Sequence, residues 1–181
     1  MKLATWNVAQ PLSQGHRDKL RMHLIQVAAD LLVLTETHDG FNPGYQNHCS
    51  SADGLGGDVG AGLRWATIWS NDTLEKLKTS DESRTVAARV TPRNAEPFIV
   101  YATVLPWLGR KWREHPSADG VAFYEALKLQ KSDWQEIHKV YPDDELFVLG
   151  DFNQDLAPFH YYGSKKNRLA LESALLESGL V

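Results

Sequence analysis

A layered α/β or α+β sandwich with mixed sheets is the fold class this sequence predicts, on three observations. Strand-like runs rich in β-branched and aromatic residues recur along the chain. Stretches with apolar residues at spacings of three and four lie between some of them. Some neighbouring strands are separated only by short turns and others by a whole helix, which requires both antiparallel and crossover connections.

The elements follow in chain order. "LATWNV" (3 to 8) reads as a first strand, and Leu20, Leu24, Val27 and Leu31 place one apolar stripe on a helix from His16 to Asp30. "LLVLTE" (31 to 36) is the second strand. The glycine-rich "SADGLGGDVGAG" (51 to 62) lacks the GK[ST] ending of a phosphate loop and has no clean strand before it, so it reads as a connecting loop. "LRWATIWS" (63 to 70), "RTVAARV" (84 to 90) and "FIVYATVL" (98 to 105) are further strands. Tyr124, Leu127, Trp134 and Ile137 mark a helix over Val121 to Val140 that Pro142 stops. "ELFVLGD" (145 to 151) is the last strand, and a final helix runs from about Lys166 to Ser178 with Gly179 as its stop. No internal repeat is visible.

Composition narrows the function classes only a little. A chain of 181 residues fits one domain, 1 to 181, and 43% hydrophobic with 23% charged residues is ordinary for a globular protein. The net charge of -4 argues against a wholly basic nucleic-acid binder but permits cations gathered locally. Cys49 is the one cysteine, which excludes an intrachain disulfide and a cysteine-rich zinc site; "NHCSSAD" around it reads as loop and its thiol as inert. No apolar run reaches bilayer-spanning length and no signal-peptide core opens the chain, so the expectation is a cytoplasmic protein with no membrane partner.

The chemistry is expected where strands end. The first strand finishes at Trp6-Asn7, the second at Thr35-Glu36-Thr37 and the last in "VLGDFNQD" (148 to 155), with Asp151 and Asn153 two residues apart. Carboxylates and amides without thiols suit a hard cation, Mg²⁺ or Mn²⁺, rather than zinc, with Glu36 as the primary ligand. Each residue also has a plain structural reading: a turn for Asn7, an edge cap for Glu36, an Asx-turn for Asp151 and Asn153.

The set "ATWNV", "LLVLTET", "SRTVAARV", "IVYATVLPW" and "VLGDFNQD", in this order and spacing, resembles the endonuclease/exonuclease/phosphatase superfamily, over Leu3 to about Val181. The resemblance implies four layers, with two mixed sheets face to face and helices outside. It implies a divalent-metal-dependent phosphodiester hydrolase, most simply a nuclease. Glu36 then binds the metal, and Asn7 sits beside it as ligand or donor. Asp151 orients or deprotonates the attacking water, and Asn153 donates to a non-bridging phosphate oxygen. The sequence departs from the family pattern at Val104, where many members have His or Tyr, and in having no S-D-H motif after GDFN. On that basis the domain is expected to be C-terminally incomplete, its C-terminal strands missing, with a second copy or a partner chain completing the sheet. His38, two residues after Glu36, has two readings: a histidine that reaches the site in place of the missing one, or a solvent-facing loop histidine.

For substrate, "PWLGRKWREHP" (106 to 116) interleaves Arg110, Lys111 and Arg113 with Trp107 and Trp112, and "HYYGSKKNR" (160 to 168) repeats the pattern. Cations with aromatic surfaces suit DNA or RNA. Arg84 offers a bidentate fork for phosphate, or a strand-end salt bridge. The alternatives are a phosphatase or lipid phosphodiesterase of the same fold, or a catalytically dead binding module.

Overall fold

The computed structural model describes residues 1–53, 62–107, 109, 120–156 and 162–180. The elements run β1 (Leu3–Asn7), α1 (Gln14–Val27), β2 (Leu31–His38), β3 (Asn47–Ser50), β4 (Leu63–Ser70), β5 (Thr73–Leu77), β6 (Thr85–Thr91), β7 (Phe98–Val104), α2 (Val121–Val140), β8 (Glu145–Asp151) and α3 (Lys165–Glu177). They build two four-stranded sheets of order β1-β2-β4-β3 and β5-β6-β7-β8. Each is mixed: β1 runs parallel to β2 and β7 parallel to β8, while the remaining pairs are antiparallel.

Strand alternation explains the layering. Leu31, Val33, Ala66 and Ile68 of the first sheet meet Val86, Ala88, Val90, Val100 and Ala102 of the second in a buried cluster between the sheets. The in-between residues Leu32 and Leu34 face the other way and pack against Leu20 and Leu24 of α1. On the far side, Ile99 and Tyr101 of β7 pack under Phe123, Ala126, Leu127, Trp134 and Ile137 of α2 and Leu171 and Ala174 of α3. The result is the four-layer α+β sandwich expected from the sequence.

Helix ends follow local chemistry. The Ser13 hydroxyl caps α1 by accepting from His16 N, and Ser164 does the same for α3 from Asn167 N. Past α3, Gly179 adopts φ +68° and Leu180 N donates back to Leu175 O, a Schellman-type closure.

Two strands escape the sequence pattern. β5 (TLEKL) is a hairpin partner of β6 with only Leu74 and Leu77 half-buried, so it lacks an apolar run. β3 corrects the loop expected around Cys49: four residues pair with β4 from Asn47↔Ser70 to Ser50↔Thr67. Cys49 packs against the inter-sheet cluster, and burial pushes its thiol pKa up, which keeps it protonated and unreactive.

Both β1 and β8 lie at the ends of their sheets, and the two edge strands touch one another. This brings the C-terminal ends of β1, β2 and β8 to one rim of the sandwich. Among the described residues no helix is long and apolar enough to cross a membrane.

Candidate active site

Asn7, Glu36 and Asp151 converge at that rim. The Asn7 side-chain nitrogen donates to Glu36 Oε1 and to Asp151 Oδ2, each at 3.0 Å. Its orientation is fixed from the other end, because Ala9 N donates to Asn7 Oδ1 at 2.9 Å. An amide held this way turns its NH₂ group between the two carboxylates. Residues 29 and 144 positions away in sequence are thereby brought to one point.

The GDFN segment is shaped by its backbone. Gly150 sits opposite Thr103 in the parallel β7–β8 pair, with φ +135°. A methyl there would overlap the Thr103 carbonyl oxygen and come within 2.9 Å of its amide nitrogen. Only glycine lets β8 lie this close to β7. One residue on, Asp151 Oδ1 accepts from Asn153 N at 2.9 Å, an Asx-turn that accommodates the left-handed φ of +50° at Asn153. Asn153 Nδ2 donates to Leu105 O at 2.8 Å, and Leu105 N donates to Asp151 O at 2.9 Å. The loop leaving β7 thus holds both Asp151 and Asn153.

Glu36 is placed by an unusual backbone. Leu32 and Leu34 face α1, and strict alternation would send residue 36 to that same side. Instead Glu36 takes φ +52°, and its carboxylate meets Asn7. Val8 N donates to Thr35 O at 3.0 Å and Gln10 N to Glu36 O at 2.7 Å, so the loop after β1 grips the turn.

The other residues singled out in the sequence have described partners other than Glu36 and Asp151, although Val104 pairs with Asp151 across β7–β8. Arg84 is only 4% exposed; its guanidinium lies 4.2 Å over the Trp65 ring and donates from Nη1 to Val104 O at 3.3 Å. Val104 is buried with Leu63 and Trp65, and Trp107 packs beside them, 6.0 Å from Trp65 between ring centroids. His38 accepts from Gly40 N at 2.8 Å through Nδ1, with Arg17 Nη2 3.3 Å from the same atom. Its described bonds are therefore to the loop and α1, not to the carboxylates. Arg110, Lys111, Trp112 and Arg113 lie outside the described residues. Arg17, absent from the sequence reading, is the side chain that joins the loops behind the cluster; nothing marks it out in sequence among the charged residues of α1.

The donor set fits a hard divalent cation. Among the described residues no three His, Cys, Asp or Glu side chains group as a metal site. A cation here would rest on the Glu36 carboxylate, beside Asn7, and leave its other positions to water or phosphate, as Mg²⁺ and Mn²⁺ do. Among the described residues the cluster's donors are carboxylate and amide oxygens, a set that suits a hard cation better than zinc.

Just past Glu36, Asp39 and Arg64 form a two-point ion pair, Nε to Oδ1 at 2.8 Å and Nη2 to Oδ2 at 2.6 Å. The Arg64 hydrogen bond holds the Asp39 carboxyl below the ordinary carboxylate value, against a smaller opposing effect of burial. A lowered native pKa stabilises the fold above the unfolded-state pKa of about 3.9, and the gain is lost as pH falls through the native value. The Asp39 side chain is 45% exposed, so solvent screening keeps the effect small. Thermal unfolding of Asp39→Asn should show a slightly lower Tm than wild type near neutrality, the gap closing as pH falls from about 4 toward 2. A gap that is constant across that range would show the pair to be irrelevant to acid stability.

No family model matches the chain, and no curated protein matches it. Solved structures do. The endonuclease domain of TRAS1, a telomere-specific non-LTR retrotransposon, aligns with a TM-score of 0.63 and 14% identity over 98% of this chain and 72% of that one. An AP endonuclease from Archaeoglobus fulgidus aligns with a TM-score of 0.64 and 17% identity, over 98% of this chain and 70% of its own. An endonuclease/exonuclease/phosphatase protein from Beutenbergia cavernae gives a TM-score of 0.61 and 15% identity, covering 98% of this chain and 53% of that one. At such identities the likeness is one of architecture alone: the chain has the endonuclease/exonuclease/phosphatase fold.

Proposed function

We propose that this chain is a divalent-metal-dependent phosphodiester hydrolase acting on nucleic acid, with Glu36, Asn7, Asp151 and Asn153 as its site. The observation that carries the reading is the single Asn7 amide bonded to two carboxylates from opposite sheets. Two carboxylates drawn together at an exposed rim cost electrostatic energy, and a fold retains such an arrangement most readily where a cation or a reacting group uses it.

A bound Mg²⁺ or Mn²⁺ would rest on Glu36, beside Asn7 and Asp151, and would neutralise charge building on the phosphate oxygens. The chain's own residues do the rest. Asp151 is held by Asn7 Nδ2 on one oxygen and Asn153 N on the other, which fixes its direction for orienting an attacking water and taking its proton. Asn7 keeps Glu36 and Asp151 in register. Asn153, anchored through Leu105 O, would donate to a non-bridging oxygen as charge grows there.

Nucleic acid is favoured as substrate by the cationic and aromatic stretch after β7 and by the endonucleases among structures of this fold. The domain would span 1 to 181, and a second chain would add strands along the β1 and β8 edges. One observation favours a second reading, binding without turnover: Val104, in the place where a phosphate donor is common in this superfamily, is fully buried and offers no donor.

Cleavage of labelled single- and double-stranded oligonucleotides with Mg²⁺, Mn²⁺ or EDTA, beside Asp151→Ala, tests the proposal. The expected result is cutting that requires the metal and disappears in the variant. Retained oligonucleotide binding with no cutting under either metal would establish the second reading. Indifference to oligonucleotides together with hydrolysis of a phosphomonoester or a phospholipid would give the site to a phosphatase or lipid phosphodiesterase.

A further inference from the structure

We infer that Arg17, on α1, is a positioning residue that holds Glu36 in its left-handed turn and so sets where its carboxylate points. The inference rests on the proposed function only for what Glu36 binds.

Arg17 lies one turn into α1, after the Ser13 cap, and its side chain reaches toward the rim over the helix N-terminus. All three guanidinium nitrogens are engaged. Nε donates to Pro11 O at 2.7 Å, Nη1 to Gly40 O at 3.1 Å, and Nη2 lies 3.3 Å from His38 Nδ1. Pro11 belongs to the loop after β1, whereas His38 and Gly40 belong to the end of β2 and the loop beyond it. One planar fork therefore ties together the two segments that flank Glu36.

The residues around the fork are chosen to admit it. A methyl at Gly40 would come within 2.7 Å of Arg17 Nη1 and 3.1 Å of His38 Nδ1. His38 Nδ1 accepts the Gly40 amide, so this nitrogen carries no proton and its one lone pair is shared between Gly40 N and Arg17 Nη2.

The consequence concerns strain. A non-glycine residue at φ +52° is disfavoured by about 1–2 kcal/mol and persists only when its surroundings over-determine it. At Glu36 those surroundings are Gln10 N on Glu36 O and Val8 N on Thr35 O, from the loop that Arg17 pins through Pro11. Released from the pin, that loop loses its hold, and residue 36 relaxes toward the extended backbone of its neighbours. Its side chain then swings to the face of Leu32 and Leu34, away from Asn7 and Asp151.

The test uses the whole chain in three variants. Arg17→Ala removes the fork, and Arg17→Lys restores the charge with one point of contact. Arg21→Ala serves as control, because Arg21 lies one turn further along α1 and among the described residues bonds to Asn42 O and Asp18 and lies over the Phe41 ring, none of which holds Pro11 or the loop after β1. Amide hydrogen exchange at Gln10 and Mn²⁺ affinity by titration are read in each. Arg17→Ala should speed exchange at Gln10 by at least about tenfold relative to the Leu32 and Leu34 amides of the same sheet, and weaken Mn²⁺ binding by a similar factor. Arg17→Lys should fall between, and Arg21→Ala should match wild type at Gln10. Unchanged exchange at Gln10 in Arg17→Ala, or an equal effect from Arg21→Ala, overturns the inference. Accelerated exchange in a protein whose wild type binds no Mn²⁺ upholds the positioning and instead overturns the metal reading of Glu36.

Discussion

Gly150→Ala should lower the melting temperature by roughly 10 °C or more, or prevent folding. Two costs coincide at this position. The added methyl overlaps the Thr103 carbonyl oxygen across the β7–β8 pair, and backbone atoms cannot move aside as a flexible side chain would. The residue also holds φ +135°, a region closed to side chains with a Cβ. Overpacking of about 1–3 kcal/mol and backbone strain of about 1–3 kcal/mol add at one site. For a domain of this size each kcal/mol moves the midpoint by about 2–4 °C. Thermal unfolding followed by circular dichroism measures it. A loss of under about 2 °C would mean that β8 can shift away from β7 at little cost. The same shift would carry Asp151 away from Asn7, so any folded remnant should also lose function.

Much of the candidate site was legible because it uses the simplest feature of a layered fold. Strands that are apolar on both faces must end somewhere, and oxygen-bearing residues placed at those ends gather at a rim. Asn7, Glu36 and Asp151 were visible on that ground, and the bond from Asn7 to both acids gives the gathering its geometry. What stayed hidden depends on backbone angles and on side chains reaching across loops. The left-handed turn at Glu36 contradicts the alternation of Leu32 and Leu34, and no residue type announces it, since glutamate has no preference for that region. Arg17 looks like any exposed helix residue until the loops it grips are known. Arg84 shows the converse limit: an arginine opening a strand suggests a phosphate fork, yet its ring stacking on Trp65 and its bond to Val104 O are tertiary facts. The short edge strands β3 and β5 escaped because their order comes from pairing with β4 and β6 rather than from their own composition.

Glu36→Gln and Asp151→Asn should each reduce metal-dependent phosphodiester cleavage by about 10²- to 10⁴-fold while leaving the fold as stable as wild type or more so. The opposite signs come from one arrangement. Both carboxylates sit 3.0 Å from the same amide nitrogen, so their oxygens lie within twice that distance and repel one another when no cation is present. In the unfolded chain the two groups are 115 positions apart in sequence and the repulsion vanishes, so it counts wholly against the native state. Either amide removes it and keeps an oxygen to accept from Asn7. Under the proposed function cleavage, by contrast, would need the lost charge, in one case to hold the cation and in the other to take a proton from water. If, as proposed, the two acids serve one chemical event, the double variant should be little worse than the poorer single one. Initial rates at saturating Mg²⁺ and melting curves in EDTA, run on the same four proteins, decide the matter. Lower melting temperatures in the single variants would make the acids structural partners of Asn7. Losses of rate that multiply in the double variant would separate Glu36 and Asp151 into independent roles.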